Sequence, residues 1–374
     1  MRLLYRNFDG LDVSFKGAMP SEVVRALAIG KMKAQEQRED ALVLLGPKRI
    51  PVYVSETGMK GGYAFRFDTG PFGAIWAVAD NTDRERWNIR ASMKSLALAD
   101  GGYRGAKAQL VDTLADLGAM GPNGIQPEER ISRVDFCTDF ALPSFQPDPE
   151  HIVCHSHTTR RVHRNWLGET VNRGNRIESL TIGKMPGRQV VLYDKTREIL
   201  VHEKPYWWDY WKLDSTRFEG EVWRVEVRAG KAELDNWNLR SFGNLERIGG
   251  AVIESTLNAI RYTDPTNDTQ ASRWPAHPLW SACLAAAEDA FAPYDSTVKR
   301  GKVIEGLRAD IVKRFAGLFP GLLASYTHLL GHDISELPAV LESLEKDILD
   351  FASENPRAME SKFRRAAERY ALLR

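Results

Sequence analysis

The chain lacks most of the features that mark secreted, membrane or zinc-binding proteins. Among its 374 residues are only three cysteines, Cys137, Cys154 and Cys283, which cannot form a disulfide framework and show no zinc-ligand spacing. No apolar run reaches the roughly 18 residues of a membrane-spanning helix. The first ten residues, MRLLYRNFDG, contain no signal-peptide core. We therefore expect a protein of the reducing cytoplasm that does not partner with a membrane.

The sequence also lacks an excess of one charge and the common nucleotide or hydrolase signatures. The net charge is +1, which argues neither for nor against a nucleic-acid partner. No Walker, Ser/His/Asp or zinc motif is present. Residues 151–200 nevertheless hold nine Arg or Lys against four Asp or Glu. Such a basic patch indicates either phosphate contacts or a solvated loop.

The length and the patterning predict several folded regions with an α+β fold. A chain of 374 residues exceeds the usual size of a single core. We predict an N-terminal α+β subdomain at 1–130, a catalytic β-sheet subdomain at 131–265, a polar, proline-punctuated linker at 266–278 and an all-α C-terminal domain at 279–374, in which Pro320 ends a helix. The expected fold is a central antiparallel sheet with flanking helices. The strands expected in the catalytic region are Ile131–Phe140, Thr158–His163, Ser179–Lys184, Gln189–Lys195 and Val222–Ala229.

One hairpin in this region places a tyrosine among cations. Thr181–Lys184 and Gln189–Lys195 flank the turn residues Met185-Pro186-Gly187. Side chains alternate along a strand, so Tyr193 and Lys195 are expected on one face. This pattern indicates either an ordinary half-buried aromatic residue or a nucleophile directed at a phosphate.

Two further strands carry a charged face. In RVDFCTDF the charged face is formed by Arg133, Asp135 and Asp139, and in WRVEVR it is formed by Arg224, Glu226 and Arg228. If these strands share a sheet with the hairpin, one face gathers all of these side chains with Tyr193 and Lys195. Alternating charges also stabilise ordinary solvent-facing sheets, so the pattern alone leaves the structural and the functional interpretation open.

The residue types on this face suit phosphate chemistry. Carboxylate oxygens are the hard ligands that Mg²⁺ or Mn²⁺ prefers, and a divalent ion neutralises phosphate oxygens during displacement. Tyrosine is a weak nucleophile unless a cation favours its phenolate. Lys195, Arg224 or Arg228 can supply that cation, or can hold the phosphate itself.

Two other motifs have less specific interpretations. Cys154-His155-Ser156-His157 superficially matches a His-x-His metal motif, but the arginines that follow favour phosphate contacts. The aromatic cluster at 206–211, YWWDYW, is typical of a core or interface more than of base stacking. The cations predicted to contact DNA are Arg133, Arg160, Arg161, Lys184 and Arg188.

Together, three motifs resemble the replication initiation factor family, the rolling-circle replication initiators of plasmids and phages. TIGKMPGRQVVLYDKTRE resembles the family's Y-I-G…R-x-Y-D-K-x-x-E signature, although Thr181 stands where a tyrosine is often found. RVDFCTDF resembles its R-x-D-x-x-x-D strand and WRVEVRAG its R-x-E-x-R strand, in the same order. The resemblance extends over roughly residues 1–280 and leaves the helical tail unexplained.

The resemblance implies an origin-specific nickase that binds double- and single-stranded DNA and forms a 5′-phosphotyrosine intermediate. It implies Tyr193 as the nucleophile, with Asp135 and Glu226, then Asp139, as ligands of Mg²⁺ or Mn²⁺. Lys195, Arg224, Arg228 and Arg133 would be phosphate or orienting groups. It also implies a homodimer and recruitment of a host helicase. The alternatives are a non-catalytic DNA-binding regulator of a mobile element and a metal-dependent nuclease that uses water.

Overall fold

The structure, a computed structural model, describes residues 1–154, 167–173, 176–294, 296 and 298–373. The chain divides into two compact units, Met1–Lys299 and Arg300–Arg374. In the described part of the chain, no helix combines the length and the apolar character that crossing a membrane requires.

The first unit holds the strands, which follow one another along the chain from its second residue. They are β1 (Arg2–Lys16), β2 (Ala41–Leu45), β3 (Ile50–Val54), β4 (Phe65–Asp68), β5 (Ala74–Val78), β6 (Ile89–Met93), β7 (Glu128–Ala141), β8 (Ile152–Cys154), β9 (Leu167–Arg173), β10 (Arg176–Gly183), β11 (Arg188–Asp194), β12 (Val222–Gly230) and β13 (Ile260–Tyr262).

Helices interrupt the strands in the first unit and make up most of the second. They are α1 (Ser21–Gln37), α2 (Ser95–Asp116), α3 (Lys195–Val201), α4 (Tyr206–Trp211), α5 (Lys231–Asn236), α6 (Phe242–Ala259), α7 (Pro278–Glu288), α8 (Arg300–Leu329), α9 (Leu337–Glu354) and α10 (Pro356–Arg369). The predicted α+β fold, with a central antiparallel sheet and an all-α C-terminal region, is confirmed.

One large sheet organises the first unit. Eleven strands lie in the order β2-β3-β4-β5-β6-β1-β7-β12-β11-β10-β9, while β13 and β8 form a separate pair. The long strand β1 joins the two halves, because it pairs antiparallel with β6 and with β7. A single sheet therefore crosses the subdomain boundary expected at residue 130.

Helices cover one face of this sheet with apolar contacts. Phe136 of β7 packs on Phe8 of β1, with ring centroids 5.6 Å apart, and Phe8 in turn packs on Tyr103 of α2. Thr138 of β7 lies 3.4 Å from the thiol of Cys283 in α7. Alternation along β7 then turns its charged residues to the opposite face, where the predicted site lies.

The second unit is helical and exposes many large apolar side chains. Within it, the Tyr326 hydroxyl of α8 donates to Asp347 of α9 at 2.6 Å. Val312, Leu318, Phe319 and Leu322 are exposed on α8. The second unit begins at residue 300, whereas the expected helical domain begins at 279, so α7 and residues 266–277 belong to the first unit.

The prediction that Pro320 ends a helix is wrong. A single helix, α8, runs from Arg300 to Leu329 with Pro320 inside it. A proline in a helix leaves the carbonyl four residues earlier without its usual donor. Here that carbonyl belongs to Ala316, an exposed residue, where water can take the place of the missing N–H.

The predicted hairpin forms as β10 and β11, but its second strand ends one residue earlier than expected. β11 ends at Asp194, and Lys195 begins α3. The Asp194 carboxylate accepts a hydrogen bond from the backbone N–H of Arg197 at 2.9 Å, which is a typical helix cap. Lys195 is therefore not on the strand face, contrary to the prediction. The strand predicted at Thr158–His163 lies outside the described residues.

Candidate functional site

Three neighbouring strands align the predicted side chains in rows. Tyr193 of β11 lies opposite Arg224 of β12, which lies opposite Asp139 of β7. In the same way, Arg228 lies between Gln189 and Asp135. The strand register thus brings the charged residues of the three motifs together on one face of the sheet.

At one end of this face is a buried ionic network, which we name the closed end: Asp9, Asp139, Trp211 and Arg224. The Arg224 side chain is 0% exposed and donates to both oxygens of Asp139, at 2.6 and 2.9 Å. It also donates to Asp9 Oδ1 at 2.8 Å. The Trp211 indole donates to Asp139 Oδ2 at 2.7 Å. Every member is satisfied, as a buried charge requires.

A tryptophan of α4 connects the closed end to Lys195. The Trp207 ring lies 4.4 Å from Arg224 Cζ and 4.7 Å from Lys195 Nζ, distances typical of cation–π contacts. Lys195 Nζ also donates to Glu198 Oε2 at 2.6 Å. Burial lowers the pKa of Lys195, and the positive charge of Arg224 lowers it further. Despite its place on a helix, Lys195 thus remains next to the site.

The tyrosine of the hairpin lies between these cations and a carboxylate. The Tyr193 hydroxyl donates to Glu226 Oε2 at 3.3 Å, and Lys195 Nζ lies 5.7 Å from the Tyr193 ring centroid. Burial raises the pKa of Tyr193 well above its ordinary value, Arg224 opposes this rise, and Glu226 adds to it. The phenol is therefore neutral, with a proton acceptor within reach.

Beyond the tyrosine the face becomes accessible, in a region that we name the open end: Arg133, Asp135, Glu226 and Arg228. Arg228 donates to Glu226 Oε1 at 2.7 Å, and its side chain is 28% exposed. Arg133 contacts both oxygens of Asp135, at 2.6 and 3.0 Å, with a side-chain exposure of 37%. Each pair thus joins a buried carboxylate to a partly exposed guanidinium.

The two carboxylates of the open end influence each other. Burial raises the pKa of Asp135 to about 7; the Arg133 hydrogen bond opposes this rise, and the negative charge of Glu226 adds to it. A β-carbon at Gly10 of β1 would lie 2.6 Å from Asp135 Oδ2. Glycine at position 10 therefore leaves the space that the Asp135 carboxylate occupies.

The donor set fits a divalent cation only in part. No group of three or more ligating side chains is found in the described residues. Both oxygens of Asp139 are engaged by Arg224 and Trp211, so the geometry does not favour its predicted role as a third ligand. The oxygens of Asp135 and Glu226 are engaged as well, but their guanidinium partners Arg133 and Arg228 are partly exposed and can move aside, unlike the buried Arg224. Two carboxylates completed by phosphate oxygens and water are a common Mg²⁺ arrangement.

Of the five cations predicted to contact DNA, three lie in the described structure and two lie outside it. Lys184 is exposed just after β10, and Arg188 is half-buried at the start of β11, while Arg133 belongs to the open end. Arg160 and Arg161 lie outside the described residues, as do the two histidines of the possible metal motif.

Sequence reasoning missed three residues of the site. Asp9 has no motif of its own and reaches Arg224 only because β1 pairs with β7. Trp207 and Trp211 belong to the aromatic cluster that was interpreted as core or interface. The cluster is indeed largely buried. Its position in the sequence between the hairpin and the WRVEVR strand is the one sequence signal that it also contacts the site.

No family model matches the chain, and no curated protein matches it. Among solved structures, a rolling circle replication initiator protein from Geobacillus stearothermophilus is similar, with 15% sequence identity and a TM-score of 0.44. The match covers 78% of this chain and 98% of the other. A similarity of this extent does not assign a function.

Proposed function

We propose that the protein is a rolling-circle replication initiator that nicks one strand of an origin through Tyr193. The observation that carries this proposal is the hydrogen bond between Tyr193 and Glu226 on a sheet face that also holds accessible arginines. The three sequence motifs resemble those of the replication initiation factor family, and this resemblance supplies the reaction class.

In the proposed reaction, Tyr193 Oη attacks the scissile phosphorus. Glu226, which already accepts the phenolic hydrogen bond, takes the proton as the P–O bond forms. The bond from phosphorus to the 3′ oxygen breaks, and that oxygen takes a proton from water, to which Glu226 passes the proton of the tyrosine, and leaves as a free 3′-OH. The products are a 5′-phosphotyrosine and a primer end, and reversal of the same step rejoins the strand.

The arginines divide between two roles in this proposal. Arg133 and Arg228 are partly exposed, so they are able to hold a phosphate through parallel hydrogen bonds. Arg224 has no exposed side-chain surface, so it serves as an orienting group, and Lys195 supports Tyr193 beside it. A Mg²⁺ or Mn²⁺ ion held by Asp135 and Glu226 would neutralise charge on the phosphate.

The remaining expectations rest on the motif resemblance. They are recognition of double-stranded and single-stranded origin DNA, action as a homodimer and recruitment of a host helicase.

The decisive test is covalent capture of DNA. The protein is incubated with Mn²⁺ and a pool of single-stranded oligonucleotides from DNA flanking its gene, then resolved on a denaturing gel. We expect an SDS-resistant protein–DNA band that Tyr193→Phe abolishes while binding persists. The matched control is Tyr53→Phe, on β3 of the same sheet, which should keep the band. A band that survives in Tyr193→Phe rules out this nucleophile, and binding with no band in the wild type favours a non-catalytic protein.

The carboxylates are tested in the same assay. Asp135→Ala and Glu226→Ala should each lower the yield of the covalent band by at least about tenfold, the lower range for loss of an acid–base or metal-binding group. Asp68→Ala is the control, because Asp68 of β4 pairs with Lys94 at 2.6 Å and three strands of the same sheet separate β4 from β7. Full activity of both site variants would show that neither carboxylate takes part.

A further inference from the structure

A cavity of about 370 Å³ lies in the first unit beside the N-terminal half of β1. Its wall includes three tyrosines, Tyr5, Tyr210 and Tyr294, together with Asn7. The Tyr5 ring lies 6.2 Å from that of Tyr210 and 6.3 Å from that of Tyr294, both at steep angles. The volume is within the range of small-molecule sites, and the lining combines aromatic surface with a few polar groups.

One polar group in this wall lacks a partner. Tyr210 is 6% exposed, and its hydroxyl lies near the Ser296 side chain but makes no hydrogen bond of normal geometry with any residue that the structure describes. A buried hydroxyl without a partner costs free energy unless a ligand or water satisfies it. By contrast, the Tyr294 hydroxyl donates to the Ala99 carbonyl at 2.7 Å, so this part of the wall is fixed.

The backbone of β1 offers further polar groups. β1 pairs with β6 only from Leu11 to Phe15, whereas its pairing with β7 begins at Arg2. Within the described structure, the residues of β1 before Leu11 therefore have no neighbouring strand on one side, and four of them, Leu4 to Asn7, line the cavity. Backbone N–H and C=O groups of such an unpaired strand can form hydrogen bonds with a planar ligand.

The mouth of the cavity carries cations. Arg6 pairs with Asp289 at 3.0 Å, and both side chains remain partly exposed. Lys212 is exposed among the lining residues. Positive groups at the mouth suit a ligand whose planar part enters the cavity while an attached phosphate stays outside.

The cavity adjoins the proposed catalytic face. The Tyr5 ring that lines it also lies 5.9 Å from Arg224 Cζ and 5.1 Å from the Trp207 ring. Arg224 is the strand neighbour of Tyr193. The Tyr5 side chain thus lies between the cavity and Arg224 of the closed end.

We propose that this cavity receives one unpaired nucleobase of the DNA strand bound at the Tyr193 face, stacked on its tyrosines and hydrogen-bonded by the Tyr210 hydroxyl. The inference rests on the proposed function, because it requires single-stranded DNA at that face. It adds a base-binding site that no sequence motif indicates, and through it a means of fixing the register of the strand.

The test is photocrosslinking with random single-stranded 13-nucleotide DNA that carries 5-iododeoxyuridine at its centre. Iodouracil bonds to aromatic side chains that it contacts, and mass spectrometry identifies the peptides. We expect crosslinks on peptides with Tyr5 or Tyr210. Ala292→Trp, which fills the cavity from its exposed rim, should lower their yield about tenfold, the order expected for loss of one stacked base. Ala108→Trp on the exposed side of α2 is the matched control and should change nothing.

The outcomes separate this inference from the proposed function. Crosslinks confined to peptides of β11 and β12 would overturn the base site while leaving DNA binding at the face intact. Crosslinks at Tyr5 or Tyr210 with free 5-iododeoxyuridine monophosphate but not with the oligonucleotide would also overturn it, in favour of a free-nucleotide site. Absence of any binding by the oligonucleotide would remove the proposed function and the base site together.

Discussion

The two ends of the charged face use the same residue types in opposite ways. At the closed end, Arg224 is wholly buried and contacts two aspartates and a tryptophan ring. At the open end, Arg228, four residues along the same strand, is partly exposed and contacts Glu226 and Gln189. A satisfied, buried arginine fixes its neighbours, whereas a partly exposed one can exchange its partner for a ligand.

A charged strand face can therefore contain two regions with different roles. The closed end has the properties of a rigid support, because each of its charges is paired within the protein. The open end keeps two buried carboxylates close together under two accessible guanidinium groups, which is an arrangement that a phosphate and a cation can complete.

The largest effect should come from removing the buried arginine. Arg224→Ala leaves the buried Asp139 and the half-buried Asp9 without their cation, which should lower the free energy of unfolding by about 3–5 kcal/mol. Arg228→Ala, the matched variant at the open end, also deprives a buried carboxylate, Glu226, of its cation, but water reaches this site, so the loss should be smaller, about 1–2 kcal/mol. Urea unfolding followed by tryptophan fluorescence measures both. Equal losses would show that the two ends do not differ as described.

A smaller effect concerns pH, measured on metal-free protein in chelator. The pKa of Asp135 is about 7 in the folded chain against about 3.9 in an unfolded one. Between these values the folded state binds more protons, so its stability should fall as pH rises, by at most about 1.4 kcal/mol per pH unit. Asp135→Asn should remove this slope between pH 5 and 7.

Glu198→Gln is the control for the pH experiment. Burial would raise the pKa of Glu198, but Lys195 and Lys204 lower it to about 2. Glu198 in the folded chain therefore titrates below the range of pH 5 to 7. The slope between pH 5 and 7 should therefore stay as in the wild type. An unchanged slope in Asp135→Asn would mean that another group causes it.

The smallest effect should appear in the salt dependence of DNA binding. If Arg133 and Arg228 hold phosphates, replacing either with alanine should reduce the slope of log K against log salt by about 0.7 for single-stranded DNA. Arg25→Ala, an exposed site on α1, should leave the slope unchanged. Fluorescence anisotropy at several salt concentrations measures it. An undiminished slope in both open-end variants would place the phosphates elsewhere.

The shared face of β7, β11 and β12 could be predicted from sequence because side-chain alternation is local and has a period of two. Once three such strands are neighbours, their charged residues must meet. The same logic failed at Lys195, where Asp194 caps a helix and ends the alternation. A different rule, that proline ends a helix, failed at Pro320. Because the Ala316 carbonyl is exposed there, water can replace the missing N–H and the helix continues.

The supporting residues could not be predicted because they depend on long-range pairing. Asp9 meets Arg224 across 215 positions of sequence, and only the pairing of β1 with β7 brings it there. The roles of Trp207 and Trp211 depend on how α4 folds back over the sheet. The buried Arg224 and the accessible Arg133 and Arg228 occur in similar sequence motifs. What separates them is burial, which depends on the whole fold.

The close approach of Gly10 to Asp135 has a consequence for how this protein can vary. Gly10 does not have a positive φ, so its backbone would accept any residue. A β-carbon there would instead lie 2.6 Å from the Asp135 carboxylate and force that side chain to shift. Positions 10 and 135 therefore form a linked pair. In related chains we expect glycine at position 10 wherever position 135 is aspartate. Larger residues should appear at position 10 only where position 135 has a shorter side chain.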